Sequence, residues 1–328
     1  MKIFDFIRTR DGHRKLYFFN KKILSYKAPC KYRRLYKRRF ENNLTEEEIK
    51  YILEVQFETR LGYKLNLDNP KTYNEKIQWL KFYYHNPLMT KCADKVEARN
   101  YIKETIGEQY LIPCLGIYNN PDEIDFDKLP NRFVLKVNWG CKQNIIVKDK
   151  SKLNITEAKT KLKNWLKPQS NHYYRFLEWQ YKDIKPKIIC EQFVVGDKDL
   201  KDYKFHCTNG KFRRLLVIGA KNETKRFCNF YDKNLNLLNL KNGGAIKEDE
   251  KVNLKDFPKM VELAQKLAKP FPVVRVDFYE DINKNIYLGE LTFTPGNGTD
   301  VFEPFDWDYK LGEDIILPEI NTKSDLRG

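Results

Sequence analysis

PVVRVDFYEDINKNIYLGELTFTPG, residues 272–296, is the stretch on which the reading of the whole chain turns. Two runs rich in β-branched and aromatic residues, 273–279 and 286–293, flank a polar turn at 281–285, which is the pattern of an antiparallel hairpin. Arg275 and Asp277 are two apart, as are Glu290 and Thr292, so each pair shares one face of its strand. Pairing the strands sets two carboxylates side by side. They repel unless a cation lies between them, and hard oxygen donors of this kind suit Mg²⁺ bridging phosphates. The spacing fits ordinary exposed strand residues equally well.

Two upstream runs bear on the same question. Lys136 ends the strongly β run FVLK and precedes the loop 138–143. There it is either a point charge for phosphate, with the turn's amides beside it, or a solvated strand-end lysine. Glu191 to Val194 ends another β run, where backbone groups could pair with an adenine edge or simply belong to a core strand.

Helices are expected from Thr45, from Thr72, over 94–105, over 156–166 and over 257–267, the first two opened by threonine caps. Strands are expected at 111–115, 133–138, 144–148, 187–195, 203–208 and 212–219, besides the final hairpin. This order fits an α/β (α+β) protein with two lobes joined near 190–200. The divisions are 1–43, a basic aromatic arm; 44–130, a helical region; 131–190 and 191–318, the two lobes, the second with the metal site; and 319–328, a polar tail.

The 328 residues are 41% hydrophobic and 14% aromatic, which excludes a disordered chain, and no repeat period is visible. Seven scattered cysteines without a C-x-x-C pair read as free thiols, and four dispersed histidines leave no zinc site and no histidine-centred triad. No run approaches the roughly 18 apolar residues of a membrane span, and no signal peptide is apparent, so a cytoplasmic location is expected. Of the net charge of +16, residues 1–40 carry 14 Lys/Arg against Asp5 and Asp11, or +12, leaving +4 for the remainder. Such an arm is either a basic surface helix or a contact for an anionic membrane face or glycan; no nucleic-acid module follows it, and nucleic acid is not the expected partner.

Taken together, NPKTYNEKIQWLK (69–81), ADKVEARNYI (93–102), YLIPCLGIY (110–118), FDKLPNRFVLKVNWG (126–140), NIIVKDKSKL (144–153), IKPKIICEQF (184–193), LKDYKFHCTNGK (200–211), PVVRVDFY (272–279), LGELTFTPG (288–296) and WDYKLG (307–312) form ten ordered blocks. In this series the chain resembles the ATP-grasp superfamily, in its TupA-like (teichuronopeptide-biosynthesis) branch. The resemblance implies two lobes clamping ATP and Mg²⁺. Lys95 and Lys136 would hold the phosphates, Glu191 and Phe193 would be adenine hinge residues, and Asp202 with Lys204 would meet the nucleotide. Asp277 and Glu290 would ligate Mg²⁺, and Arg275 would steady the transferred phosphoryl group. Thr292 would be the third metal position, where many relatives have Asn and a threonine hydroxyl is a weaker, shorter ligand. Cys141, Lys142 and Gln143 replace the small residues common in that loop. The implied activity joins a uronic acid carboxylate, such as that of glucuronic acid, to a small amine, an amino acid or amino alcohol with or without phosphate, through an acyl phosphate with release of ADP. Its setting would be capsular or surface polysaccharide synthesis, with the arm visiting the inner face of the membrane. A glycosyltransferase or glycan-binding protein of the same setting is the rival, and it would bind a sugar nucleotide and ignore ATP.

Overall fold

The computed structural model describes residues 30–41, 43–196, 200–219, 227–248, 252 and 254–319, together with the backbone of three strands before residue 30. Those strands, β1 (Phe4–Arg8), β2 (Arg14–Phe18) and β3 (Lys21–Tyr26), form an antiparallel meander. The first part of the arm is therefore extended, and the surface-helix reading does not hold there. Its aromatic side chains, like the tail 320–328, lie outside the described residues. Helix α1 (Cys30–Arg38) does form. It is no free surface element, because Tyr32 and Leu35 are fully buried against Ile52 and Leu53 of α2 (Glu46–Leu61) and against Tyr173 and Leu177.

Both threonine caps are present as reciprocal boxes. Thr45 accepts from the Glu48 amide at the start of α2, and Thr72 from the Glu75 amide at the start of α3 (Tyr73–Tyr83), while each glutamate returns to its threonine's backbone. Helix α3 ends at Tyr83, and Asn86 then caps α4 (Pro87–Ala93) with proline at its first position. The helix expected over 94–105 is shortened to α5 (Ala98–Thr105), because the Asp94 carboxylate takes the amides of Val96 and Glu97 and holds a turn there.

Two antiparallel sheets follow. The first contains β4 (Cys114–Tyr118), β5 (Phe133–Val137), β6 (Asn144–Val147) and β7 (Ile188–Gln192) in the order β4-β7-β5-β6, with α6 (Ile155–Trp165) and α7 (His172–Phe176) between β6 and β7. Because β4 pairs with β7, this sheet starts well before residue 131 and ends just past 190. The second sheet contains β8 (Asp202–Thr208), β9 (Lys211–Gly219), β10 (Phe227–Tyr231), then, after β11 (Lys241–Asn242) and α8 (Phe257–Ala268), β12 (Val273–Glu280) and β13 (Ile286–Thr292), in the order β10-β9-β8-β12-β13. Strand β14 (Phe302–Glu303) pairs with β11, and α9 (Asp306–Glu313) closes against α3. Helix α8 packs its face of Met260, Leu263, Ala264 and Leu267 under the second sheet, so the opposite face of β8, β12 and β13 is left for polar side chains.

Candidate active site

The register of the second sheet builds the site as two cross-strand rows. Asp277 lies opposite Glu290 on β13 and opposite Lys204 on β8. Two residues earlier, Arg275 lies opposite Thr292 and His206, and His206 opposite Arg214 on β9. Residues two apart share a face, so both rows project to the same side. The hairpin expected from the sequence thus does place the two carboxylates together.

Charge pairing then fixes the side chains. Arg275 donates from Nε and Nη2 to the two oxygens of Asp277, both at 2.7 Å, and from Nη2 to Thr292 Oγ1 at 3.1 Å and Glu290 Oε1 at 3.3 Å. This fork matches the planar donor geometry of guanidinium. Lys204 pairs with Asp277 and stands 3.8 Å from Asp202. Lys95, from the turn before α5, donates to the Gly140 carbonyl at 2.9 Å and lies 3.6 Å from Glu290 Oε2. Lys136 pairs with Glu191 at 2.6 Å, and Arg99 reaches the other Glu191 oxygen at 3.5 Å.

These pairs set the protonation states. Burial pushes the Glu290 carboxyl upward, but Lys95, then Lys204, Arg275 and Lys136, outweigh it and hold it down to about 2. Burial alone would lower the Arg275 value, yet Asp277 and Glu290 keep it above the usual arginine range. His206 is driven well below its ordinary value by burial and by Arg214, so it is a neutral core residue rather than a base. Cys141 is exposed, and desolvation with the nearby Glu290 raises its thiol against Lys95, Arg275 and Lys142.

Among the described residues, no three His, Cys, Asp or Glu side chains form a metal cluster. The donors at hand are Asp277 and Glu290, with the Thr292 hydroxyl already engaged by Arg275. Two carboxylates beside several lysines fit Mg²⁺, which takes one or two protein carboxylates and completes its shell with phosphate oxygens and water.

Glu191 lies within the ladder between β4 and β5, and its carboxylate is committed to Lys136 and Arg99. Phe193 falls beyond the end of β7, half-buried, with the Arg132 guanidinium 5.6 Å from its ring. Of the two candidate hinge residues, Phe193 is the one that follows the paired strand.

Beside Arg275, Glu290 and Thr292 opens a cavity of about 780 Å³, within the range of about 300–1,000 Å³ typical of ligand sites. Its walls include groups that no sequence pattern marked. His172 Nδ1 meets Glu178 Oε2 at 2.8 Å, and its Nε2 accepts the Cys141 amide at 3.3 Å, which ties the loop after β5 to α7. Glu178 also receives the Thr294 hydroxyl, and Gln180 donates to that hydroxyl at 2.9 Å. Their scattered positions carry no periodicity, so only the folded chain shows them as one network.

The model of the family described as TupA-like ATPgrasp matches residues 75–316, and the chain belongs to that family. No curated protein matches the chain. Among solved structures it is similar to an L-amino acid ligase from Bacillus licheniformis (13% identity, TM-score 0.41, 69% of this chain and 49% of that one). It is also similar to D-alanine–D-alanine ligase from Bacillus anthracis complexed with ATP (14%, 0.37, 62% and 56%) and N5-carboxyaminoimidazole synthetase from Staphylococcus aureus (13%, 0.37, 70% and 53%). The chain spans about half the length of these structures.

Proposed function

We propose that the protein is an ATP- and Mg²⁺-dependent carboxylate–amine ligase that forms an amide on a uronic acid, such as glucuronic acid, in surface polysaccharide synthesis. The observation that supports it is the cross-strand pair Asp277 and Glu290, bridged by Arg275 and bordered by Lys95 and Lys204, with Glu290 and Arg275 lining a cavity of about 780 Å³. The family match supports the nucleotide chemistry.

Asp277 and Glu290 would hold Mg²⁺, which supplies charge neutralisation at the phosphates. Lys95 and Lys136 are assigned to phosphate oxygens, Asp202 and Lys204 to the nucleotide, and Phe193 to the adenine side. Without nucleotide, these cations are occupied by Glu290, Glu191 and Asp277, so phosphate oxygens would compete for groups already charged and aimed. Arg275 steadies the phosphoryl group as the substrate carboxylate takes it from ATP and ADP leaves. The amine then attacks the acyl carbon, loses a proton, and expels phosphate. Positioned charge rather than a side-chain nucleophile carries both steps. The basic arm is assigned to contact with an anionic glycan or membrane face. No helix among the described residues is long and apolar enough to cross a membrane.

The test is incubation with ATP, Mg²⁺, a panel of uronic acids and a panel of amines, with mass spectrometry for a new amide and for ADP. Amide with ADP and phosphate is expected. AMP and pyrophosphate, or sugar-nucleotide binding with indifference to ATP, would overturn it.

A further inference from the structure

The charges lining the 780 Å³ cavity are unevenly matched. Of its carboxylates, Glu290 is tied to Arg275 and Lys95, and Glu178 to His172 and Thr294. Asp300 is half-buried in the wall, where desolvation raises its carboxyl above the ordinary range and Asn242, Arg275, Arg214 and Arg60 act against that rise. Of its cations, Arg275 is fully engaged, whereas Arg60, Lys142 and Arg175 are exposed and make no ion pair with a described carboxylate. Lys142 belongs to the loop after β5, on the side given to the nucleotide. Arg60 and Arg175 come from elsewhere: Arg60 from the last turn of α2, and Arg175 from α7.

The placement of Arg60 is built rather than incidental. Gln56, Thr59 and Arg60 fall at i, i+3 and i+4 on α2, and all three line the cavity. Helix α2 is held there by Ile52, Leu53 and Phe57, none more than 1% exposed. Helix α2 precedes residue 75, before the stretch matched by the family, whereas α7 lies within that stretch. Guanidinium groups recognise carboxylate and phosphate through paired donors.

Resting on the ligase reading above, the geometry points to a second-anion subsite formed by Arg60 and Arg175, which selects a substrate carrying a carboxylate or phosphate in addition to the carboxylate that is activated. The activated carboxylate approaches Arg275 on the cavity floor, and the second charge is met by the α2 and α7 wall. That charge can come from a phosphate on the sugar, a neighbouring uronate, or a carboxylate or phosphate on the amine.

Titration calorimetry with ADP and Mg²⁺ present separates these sources. The matched probes are glucuronic acid against glucuronic acid 1-phosphate, galacturonic acid against digalacturonic acid, ethanolamine against glycine, and ethanolamine against O-phosphoethanolamine. In at least one pair the member with the additional anionic group should bind about tenfold more tightly, as expected for charge-assisted bonds to two arginines. Arg60→Gln/Arg175→Gln should bring that ratio to within about twofold, and Arg60→Lys/Arg175→Lys should retain most of it. The pair that responds names the source of the charge. Affinity for ADP and Mg²⁺, titrated separately into each variant, reports folding, and the single Gln variants replace the double one if it fails that control. A ratio near one for every pair in the unmodified protein, or a ratio that survives the double Gln change, overturns the subsite. If the ratio collapses as expected yet no amide forms from any acid and amine, the ligase reading falls and the subsite stands. If amide forms without regard to the second charge, the subsite falls and the ligase reading stands.

Discussion

Asp277 and Glu290 occupy opposed positions on β12 and β13, and one guanidinium, that of Arg275, reaches both. The two differ in setting: the Asp277 side chain is 3% exposed and Glu290 31%. Asp277 therefore neutralises half-buried Arg275 and Lys204 besides any metal role, whereas Glu290 faces the cavity.

Two consequences can be separated by mutation. Asp277→Asn and Glu290→Gln are each expected to lower turnover by at least ~10²-fold, about 2.7 kcal/mol of barrier. Asp277→Asn should also lower the melting temperature more than Glu290→Gln, because it removes a buried carboxylate that two half-buried cations share. Thr292→Ala should cost less turnover than either. Steady-state ADP release over a Mg²⁺ titration, with a melting curve for each variant, checks this; near-normal turnover of Glu290→Gln at limiting Mg²⁺ rules out its metal role.

Lys81, on α3, is buried and donates to the Phe176 carbonyl at 2.9 Å and to Asn297 Oδ1 at 2.8 Å. Burial pulls its amine down to about 7, with Glu178 opposing. Between about pH 7 and its unfolded value near 10.4, the unfolded chain binds more protons than the folded one, so stability should rise with pH across that window. Urea unfolding at pH 7, 8 and 9 should show the rise, and Lys81→Met should remove it. A pH slope unchanged by Lys81→Met would place the titration elsewhere.

His172 holds the loop that bears Cys141 by accepting its amide at Nε2, while Nδ1 donates to Glu178. Losing such a bond costs on the order of 1 kcal/mol. His172→Ala is accordingly expected to raise KM for ATP roughly fivefold to tenfold, with faster hydrogen exchange over residues 140–143. Unchanged exchange there would show that the latch is not needed.

The arm has to be cut in the right place. Removing residues 1–40 would take Tyr32 and Leu35 out of a core they share with Ile52 and Tyr173, a loss on the order of 3–6 kcal/mol for two fully buried side chains. It would also remove Arg39, which donates to the Tyr174 carbonyl. Deleting residues 1–27 removes eight Lys/Arg and two Asp, a net +6, and leaves that core intact. The shorter deletion should melt like the full chain, keep activity on a small uronic acid and lose activity on a polymeric one, with the intact protein's polymer activity fading as salt rises. The longer deletion should melt several degrees lower. Equal treatment of small and polymeric acids after the shorter cut, at low salt, would remove the recruiting role.

The final hairpin was readable from the chain because a strand repeats every two residues: once 273–279 and 286–293 are strands, Arg275 with Asp277 and Glu290 with Thr292 must share faces. The caps at Thr45 and Thr72 were readable for a similar reason, since a capping box is closed within four residues. The arm's strands were not, because irregular alternation of bases and aromatics fixes neither period, and the pairing of β1 to β3 is settled between segments. Glu191 was visible as a strand-end acid, but its commitment to Lys136 and Arg99 depends on β5 and α5 arriving beside it. The same holds for His172, Glu178, Thr294, Arg60 and Arg175, whose separations in sequence carry no pattern. By itself the sequence determined the local faces and the carboxylate pair, since these follow from short-range backbone geometry; the cavity walls and the partner of each charge were decided only by tertiary packing, because they join side chains tens to hundreds of residues apart.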